Sequence, residues 1–434
     1  MSTDVTGTSN GDDSREAPRD EVPVAPAAVT AVDPRLLVRE KGLAGYWSES
    51  VRRLRSGELG SLPVVVGLVV IALVFQLRDA AFLGAENLSN LFVTAAGTGL
   101  IAVGVVFVLI LGEIDLSVGS VSGLAAAVLA VLNVQHGVPE WLALIAALAT
   151  GAVIGTLHGF FFARIGVPAF VVTLAGLLGW NGLMLQVLGA NGTINLDDIG
   201  LVASLTNHYF EDISAAYGLA TLGVAAYLLF SFRDARRREA AGVPARPPVE
   251  IVLRTAVLAV PAYAVAWLFN QYKGLPLAVV IFLGVVVALD LVLRRTRYGR
   301  TVHALGGSVE AARRAGIDVA AVRISVFALS GTMAALGGLF LASQINAANQ
   351  SSGSGSLLMN AIAAAVIGGT SLFGGRGKTW SALLGVLVIQ SIASGMALLG
   401  IAAAVQYMIT GAVLLAAVVI DSVSRRTQKT AGRA

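Results

Sequence analysis

Two carboxylates and a serine interrupt an otherwise apolar stretch of this sequence. The stretch runs from residue 91 to residue 134, and the string GEIDLSVGS at 112–120 breaks it. Carboxylates are unfavourable in hydrocarbon, so Glu113 and Asp115 must reach water, a helix end or a partner. Asp115 and Ser117 suit the amino cap of the helix that follows. Ionisable residues inside an apolar stretch are also candidates for a functional site, and these residues alone leave both interpretations open.

A second string comes close to a nucleotide-binding signature. Leu372 to Thr379 reads LFGGRGKT, which departs from the phosphate-binding loop GxxxxGK[ST] at its first position. It follows an apolar segment rather than a strand, so we predict that this chain binds no nucleotide. Cysteine is absent and the four histidines are not paired at ligand spacing. The sequence therefore predicts no metal site, no cofactor in this chain and no catalytic residues.

A polar, basic segment from Arg294 to Arg323 separates two long apolar runs. It contains a predicted short helix, because Ser308 can cap the amino end, Glu310 falls in the first turn and Gly316 stops the helix. A helix this short is marginal alone in water, so it needs a surface to pack against, which we expect another protein to provide. Its apolar side consists of Val309, Ala312 and Ile317.

The composition indicates the class of protein that must position these groups. Of the 434 residues, 56% are hydrophobic and 13% are charged, and the mean hydropathy is +0.79. These values are too apolar for a soluble globular protein, so we predict an all-α polytopic membrane protein. With 30 basic against 26 acidic residues, the net charge is small and most basic residues lie in short loops. Membrane lipid is therefore an expected partner, and nucleic acid is not.

Twelve apolar segments are long enough, or nearly so, to cross a hydrocarbon core that requires about 20 helical residues. The first and tenth are short, so some segments are expected to be broken or re-entrant. We place the transmembrane domain at 61–422, after a largely disordered cytoplasmic tail at 1–60 and before a basic cytoplasmic tail at 423–434. Within the first tail, residues 40–58 have the composition of a basic amphipathic segment. The predicted segments are 63–77, 91–111, 117–134, 141–163, 168–188, 213–231, 251–269, 275–293, 321–342, 357–373, 379–398 and 404–420.

The distribution of positive charge predicts the orientation of the chain. With the amino end inside, the alternation of segments leaves only Arg78 and Lys273, among all Lys and Arg residues, away from the inner side. Cytoplasmic loops carry an excess of Lys and Arg, so both termini are predicted to be cytoplasmic. The acidic loop after Leu188 then faces outward, and the arginine-rich loop from Phe232 to Val249 faces inward.

The basic segment carries a family signature. The string GR-x(5)-GG-x(2)-EAAR-x(2)-GI at 299–317 resembles the cytoplasmic coupling segment of ABC-type sugar importer permeases of the ribose and xylose class. In that family the short helix sits in a cleft of a separate ATPase subunit, which binds ATP and magnesium. It passes the closure of that subunit to the membrane helices. The resemblance implies ATPase coupling by Glu310, Ala311, Ala312, Gly316 and Ile317.

Three further strings resemble the same family. GEIDLSVGS at 112–120 is similar to its (G/E)IDLSVGS, VPAFVVTLAG at 167–176 to its VPxFIVTLAG, and NAIAAAVIGGTSLFGGRGK at 360–378 to the (D/E)AIAAxxIGGTSLxGGxG of the xylose-type branch. The chain departs from the pattern at Asn181, where arginine is usual, and at Asn360, where a carboxylate is usual. The residues that we assign to the translocation pathway are Glu113, Asp115, Ser117, Asn181, Asn360, Thr370 and Ser371.

The resemblance implies the membrane-spanning subunit of an ATP-driven monosaccharide importer in a bacterial inner membrane, with xylose as the first candidate substrate. Its expected partners are an ATPase subunit, an external sugar-binding protein and a second copy of the permease. The segments 213–231 and 251–269 form an added hairpin, typical of the xylose-type branch, beyond a ten-helix core. His158 stands where the family tends to have asparagine, and we expect it to act as a structural hydrogen-bonding group.

Three alternatives remain open. A permease of the same family could carry ribose, galactose or a furanose-derived signal. An ion-coupled secondary transporter would need ionisable groups near the middle of the membrane, whereas Glu113 and Asp115 lie near a helix end. A scaffold or receptor without transport would leave the polar breaks inside the apolar segments unexplained.

Overall fold

The computed structural model describes residues 62–190, 192–243 and 245–430, so the predicted amphipathic segment at 40–58 lies outside the described residues. In the described part, nine helices are long and apolar enough to span a membrane, and three further apolar helices are shorter. Together they match the twelve predicted segments. The chain is a polytopic helical membrane protein, as its composition predicts.

The first half of the described chain contains five apolar helices, and their bounds lie close to the predicted segments. Two of them, α3 and α4, end in π-helical turns at Val131–Gln135 and Phe161–Ile165. A small helix and two short strands follow α5. These elements are α1 (Leu62–Arg78), α2 (Ala85–Ile110), α3 (Val118–Ala130), α4 (Glu140–Phe160), α5 (Ala169–Leu188), β1 (Thr193–Asn195), α6 (Leu201–Asn207) and β2 (Tyr209–Phe210).

The second half contains the predicted hairpin, one further spanning helix, the basic segment and the last four apolar helices. The final helix continues to Thr430, through most of the segment that was predicted as a tail from residue 423. These elements are α7 (Ile213–Ala240), α8 (Pro248–Asn270), β3 (Leu275–Pro276), α9 (Leu277–Arg295), α10 (Arg297–Gly307), α11 (Val309–Arg314), α12 (Val319–Ile345), β4 (Ala347–Asn349), α13 (Leu357–Ile367), α14 (Thr379–Leu398) and α15 (Ala403–Thr430).

The core is built around α2, whose most apolar window is 94% buried. It packs against α12 and α14, and Gly97, Gly104 and Gly337 allow close approach at its crossing with α12. The crossing of α4 with α12 uses three glycines spaced four residues apart, Gly151, Gly155 and Gly159. A Cβ atom at any of them would overlap the backbone of α12. Small residues at this spacing are typical of closely packed membrane helices.

The predicted added hairpin is present and lies at the edge of the bundle. Helices α7 and α8 pack against each other and, through a separate apolar cluster that includes Ala216, Phe269 and Val279, against α9. Only 6% of the most apolar window of α7 is buried within the chain. The remaining apolar surface of the hairpin therefore faces away from the protein, as expected for helices in contact with lipid.

Two short antiparallel ribbons mark one end of the bundle, which we call the ribbon end. β1 pairs with β4, with Ile194 opposite Ala348, and β2 pairs with β3, with Tyr209 opposite Pro276. Helices α7 and α9 both start at this end and run to the opposite one, which we call the coupling end. The coupling end carries the basic segment with helices α10 and α11.

Candidate functional site

The interruption between α2 and α3 is the centre of a buried polar cluster. Asp115 is 3% exposed, and its Oδ1 atom accepts hydrogen bonds from Ser117 N at 2.9 Å and Ser117 Oγ at 2.6 Å. Its Oδ2 atom accepts from Ser330 Oγ of α12 at 3.1 Å. The carboxylate therefore serves the start of α3, as predicted, and also joins it to α12. The hydroxyl of Ser117 makes no cap bond of its own to the helix backbone.

A histidine and a tryptophan extend this cluster across two more helices. His158 of α4 is 3% exposed, and its Nδ1 atom lies 3.3 Å from Ser117 Oγ. Trp180 Nε1 of α5 donates to His158 Nε2 at 2.8 Å. Because an indole N–H can only donate, Nε2 must be unprotonated and the ring proton lies on Nδ1. The bonds then run in one direction, from Trp180 through His158 and Ser117 to Asp115, and His158 is a neutral hydrogen-bonding group.

Glu113 occupies a different environment from Asp115, although only two residues separate them. It is half-buried in the turn between α2 and α3. Burial raises the pKa of the Glu113 carboxyl above its usual range, and the positive charge of Arg323 opposes this shift. Asp115 and Glu113 were predicted together as part of the pathway, but their environments differ. Asp115 is hydrogen-bonded within the core, whereas Glu113 is only half-buried.

The tenth apolar segment is interrupted after α13, as predicted, by the turn from Gly368 to Lys378. Thr370 is 1% exposed, and within the described residues its hydroxyl has no hydrogen-bond partner. Ser371 Oγ accepts from Phe373 N at 3.1 Å. Asn360 is half-buried near the opposite end of α13, where its Nδ2 atom donates to Ser356 Oγ at 3.3 Å. The break therefore brings Thr370 and Ser371 together and leaves Asn360 apart from them.

The two breaks and the basic segment meet in a junction of glycine backbones, which we call the glycine junction. Gly375 N donates to Ile110 O at the end of α2 at 2.8 Å. A Cβ atom on Gly306, at the end of α10, would overlap Ile110 O and lie 2.8 Å from Gly375 N. Gly374 has φ +83°, and its Cβ would lie 2.7 Å from Gly306 O and 3.0 Å from Gly112 N. The basic segment therefore touches both breaks directly, with no side chains between the backbones.

The predicted coupling helix is present as α11. Ser308 Oγ accepts from Ala311 N at 3.3 Å, which confirms the cap, and Gly316 follows the helix with φ +78°. Glu310 is 62% exposed and pairs with Arg314 at 3.2 Å. Ala311 is also exposed. The outer face of this helix is therefore charged and accessible.

The expectation that another protein covers the apolar side of this helix is wrong. Ala312 is 3% exposed and belongs to the main core of this chain, and Val309 and Ile317 pack against the same core. The glycine turn at the end of the helix brings Ile317 back under it, with Ile317 N donating to Ala312 O at 3.1 Å. The surface left for a partner is the outer face with Glu310 and Ala311.

Asn181 stands apart from the polar cluster, although it follows Trp180 in α5. Its side chain is half-buried and makes no hydrogen bond within the described residues. Trp180 and Ser330 were not predicted as site residues, and Gly306 appeared only within the GG pair of the basic-segment string. For Gly306 the adjacent glycine pair in a basic segment was an available signal, whereas Trp180 and Ser330 are ordinary residues in apolar helices and only their contacts identify them.

A bundle of membrane-spanning helices with two polar breaks, both of which contact the basic segment at one end, is suited to a transport permease. Comparison with protein families agrees. The family described as "Branched-chain amino acid transport system / permease component" matches residues 87–418, and the chain belongs to that family.

Individual relatives resemble nearly the whole chain. It is 37% identical over 374 residues to the xylose transport system permease protein XylH of Escherichia coli K12, covering 86% of this chain and 94% of that protein. It is 35% identical to XylH of Haemophilus influenzae, covering 86% and 99%. It is 31% identical to the ribose import permease protein RbsC of Bacillus subtilis, covering 84% and 94%. No solved structure matches the chain.

Proposed function

We propose that this chain is the membrane-spanning subunit of an ATP-driven importer for a monosaccharide, with xylose as the first candidate substrate. The observation that carries the proposal is the 37% identity to a xylose permease along 94% of its length, against 31% to a ribose permease. The added hairpin, α7 with α8, supports the xylose-type branch. Ribose, galactose or a furanose-derived signal are the alternative substrates within the family.

The proposed orientation places the coupling end in the cytoplasm of a bacterial cell, with both termini there. Arg78, at the end of α1, and Lys273, beside β3, are the basic residues that this orientation leaves toward the other side. The excess of arginines at the coupling end supports it. The ribbon end would then receive the sugar from an external binding protein.

The proposed coupling element is the outer face of α11, with Glu310 and Ala311 in contact with an ATPase subunit. Ala312, Gly316 and Ile317 would act from behind, by holding this face rigidly on the core. The ATPase would bind ATP and magnesium, since the sequence of this chain contains no complete nucleotide-binding loop of the type GxxxxGK[ST]. A second copy of the permease would complete the assembly, with one ATPase site for each copy.

The glycine junction is the proposed route from the ATPase to the pathway. Gly306 lies against both breaks, so a displacement of the basic segment must move the end of α2 and the turn before α14 together. Packed backbones have few alternative arrangements, which favours switching between two states over gradual deformation. Glu113, Thr370 and Ser371 lie in the elements that would move, and Asp115 with Ser117 would anchor the start of α3 while they do.

The test is uptake of labelled xylose by cells that express the chain with its cognate ATPase and binding protein. Glu310→Lys reverses the charge of the exposed coupling face, so we expect uptake to fall at least about tenfold, with normal membrane insertion. The matched control is Glu239→Lys, the same change at an exposed residue of the coupling end outside the basic segment. Unchanged uptake in Glu310→Lys, or an equal loss in Glu239→Lys, would contradict the coupling assignment.

The second candidate function is ion-coupled transport, and the buried Asp115 with its link to His158 is the observation that favours it. A buried carboxylate linked to a histidine through one hydroxyl is the kind of group that proton-coupled transporters use. Purified protein in liposomes distinguishes the two functions. Uptake that follows a proton gradient without any ATPase supports ion coupling, and uptake that requires ATPase and ATP supports the first proposal.

A further inference from the structure

A basic cleft lies at the coupling end between the added hairpin and the main bundle. It has a volume of about 220 Å³ and opens between the end of α7 and the end of α9. Three arginines, one from α9 and two from α7, converge on it together with two large apolar side chains. The lining residues are Phe230, Arg233, Asp234, Arg237, Leu291 and Arg295.

The positive charge of this cleft is not neutralised within the described residues. Asp234 is its one acidic lining residue, and it pairs with Arg238 at 3.3 Å, outside the cleft. The nearby carboxylate of Asp290 pairs with Arg294. Arg233, Arg237 and Arg295 make no ion pair with any described residue. Three guanidinium groups around one small cavity favour an anion with several oxygen acceptors, such as a phosphate ester.

The apolar wall of the cleft indicates where that phosphate comes from. Phe230 is 55% exposed and Leu291 is 46% exposed, and Leu229 beside them is 68% exposed. Exposed apolar side chains give way to arginines within one turn of α7, which is the pattern expected at the boundary between hydrocarbon and water. A soluble phosphate would gain nothing from this wall, whereas the acyl chains of a lipid would cover it.

We propose that the cleft binds the headgroup phosphate of an anionic phospholipid in the cytoplasmic leaflet. Basic pockets between membrane helices on that side are suited to such headgroups. The lipid would bridge α7 and α9, and α10, the first helix of the basic segment, begins two residues after Arg295. It would therefore hold the hairpin against the end of α9, where the basic segment begins, and restrain the position of α10. The proposal requires the cytoplasmic orientation of this end and is independent of the transported substrate.

The test is lipid retention by the full-length chain, purified in neutral detergent and measured by native mass spectrometry. Wild-type protein should retain added dioleoyl phosphatidylglycerol in preference to phosphatidylethanolamine. R233Q/R237Q/R295Q should lose this preference, with occupancy reduced on the order of tenfold or more, and the three single variants should show partial losses. The matched control R236Q/R246Q/R300Q removes the same charge from exposed residues that do not line the cleft.

Three results would overturn the proposal. The first is equal retention by the cleft variant and the wild type. The second is an equal loss in the control variant, which would indicate a general effect of charge. The third is displacement of the lipid by millimolar glycerol phosphate, which would show that the cleft prefers a soluble phosphate. The measurement needs neither sugar nor ATPase, so failure of the lipid site and failure of the proposed transport function are distinguishable.

Discussion

At the scale of single residues, His158 shows how a buried polar side chain is tolerated in an apolar bundle. Both ring nitrogens have partners, Trp180 on one side and Ser117 on the other. A buried donor or acceptor left without a partner costs about 1–3 kcal/mol. We therefore expect His158→Leu to lower the free energy of unfolding by about this amount, which thermal unfolding of the purified protein in detergent would measure.

Two variants make this prediction specific. His158→Asn offers both a donor and an acceptor, so it should lose less stability than His158→Leu. Thr156→Val on the same helix removes a hydroxyl that is exposed and bonds only Ala152 O of its own helix, and it should be nearly neutral. If His158→Leu were as stable as His158→Asn, the hydrogen bonds to Ser117 and Trp180 would contribute nothing to stability.

At the scale of elements, the glycine junction predicts a sharp difference between two neighbouring positions. A Cβ atom on Gly306 would overlap Ile110 O, whereas a Cβ atom on Gly307 would meet nothing within 4 Å. Gly306→Ala must therefore push α10 away from the end of α2 and from the turn that precedes α14. We expect sugar uptake to fall by an order of magnitude or more in Gly306→Ala and to stay unchanged in Gly307→Ala.

A milder change distinguishes a loss of coupling from a loss of folding. His303 of α10 has its Nδ1 atom 3.4 Å from Gly375 O, so His303→Ala weakens the same junction without any overlap. We expect His303→Ala to retain the wild-type unfolding temperature and to lower the uptake per ATP hydrolysed. Equal uptake in Gly306→Ala and Gly307→Ala would show that the junction does not transmit the movement of the coupling segment.

The elements were largely predictable from the sequence, and the contacts between them were not. Apolar length identified all twelve segments, and capping chemistry at Ser308 and Gly316 located α11, because both signals are local. The apolar side of α11 was assigned to a partner because a helix considered alone gives no information about what its own chain places beneath it. The link from Asp115 to Ser330 spans 215 positions, and no local pattern encodes it. The glycines at 151, 155 and 159 are a local signal of close helix packing, because small residues recur there at a spacing of four.

At the scale of the whole molecule, the orientation in the membrane determines which partners the coupling end, the basic cleft and the ribbon end can contact. If the coupling end is cytoplasmic, α11 can meet an ATPase, the basic cleft can meet cytoplasmic lipid, and the ribbon end can meet an external binding protein. The reverse orientation would remove all three. Positive charge predicts the first arrangement, and the chain offers a direct test because its sequence contains no cysteine.

Single cysteines placed at the two ends of α7 should react from opposite sides of the membrane. Glu211 precedes α7 at the ribbon end and Arg236 lies in its last turns, and both side chains are exposed. We expect Glu211→Cys to react with a membrane-impermeant maleimide on intact spheroplasts and Arg236→Cys to react only after permeabilisation. The cysteine-free parent gives the background of the same measurement. Labelling of Arg236→Cys on intact cells, with protection of Glu211→Cys, would show that the chain has the opposite orientation. The arginine cleft and the coupling helix would then both lie on the side without ATP.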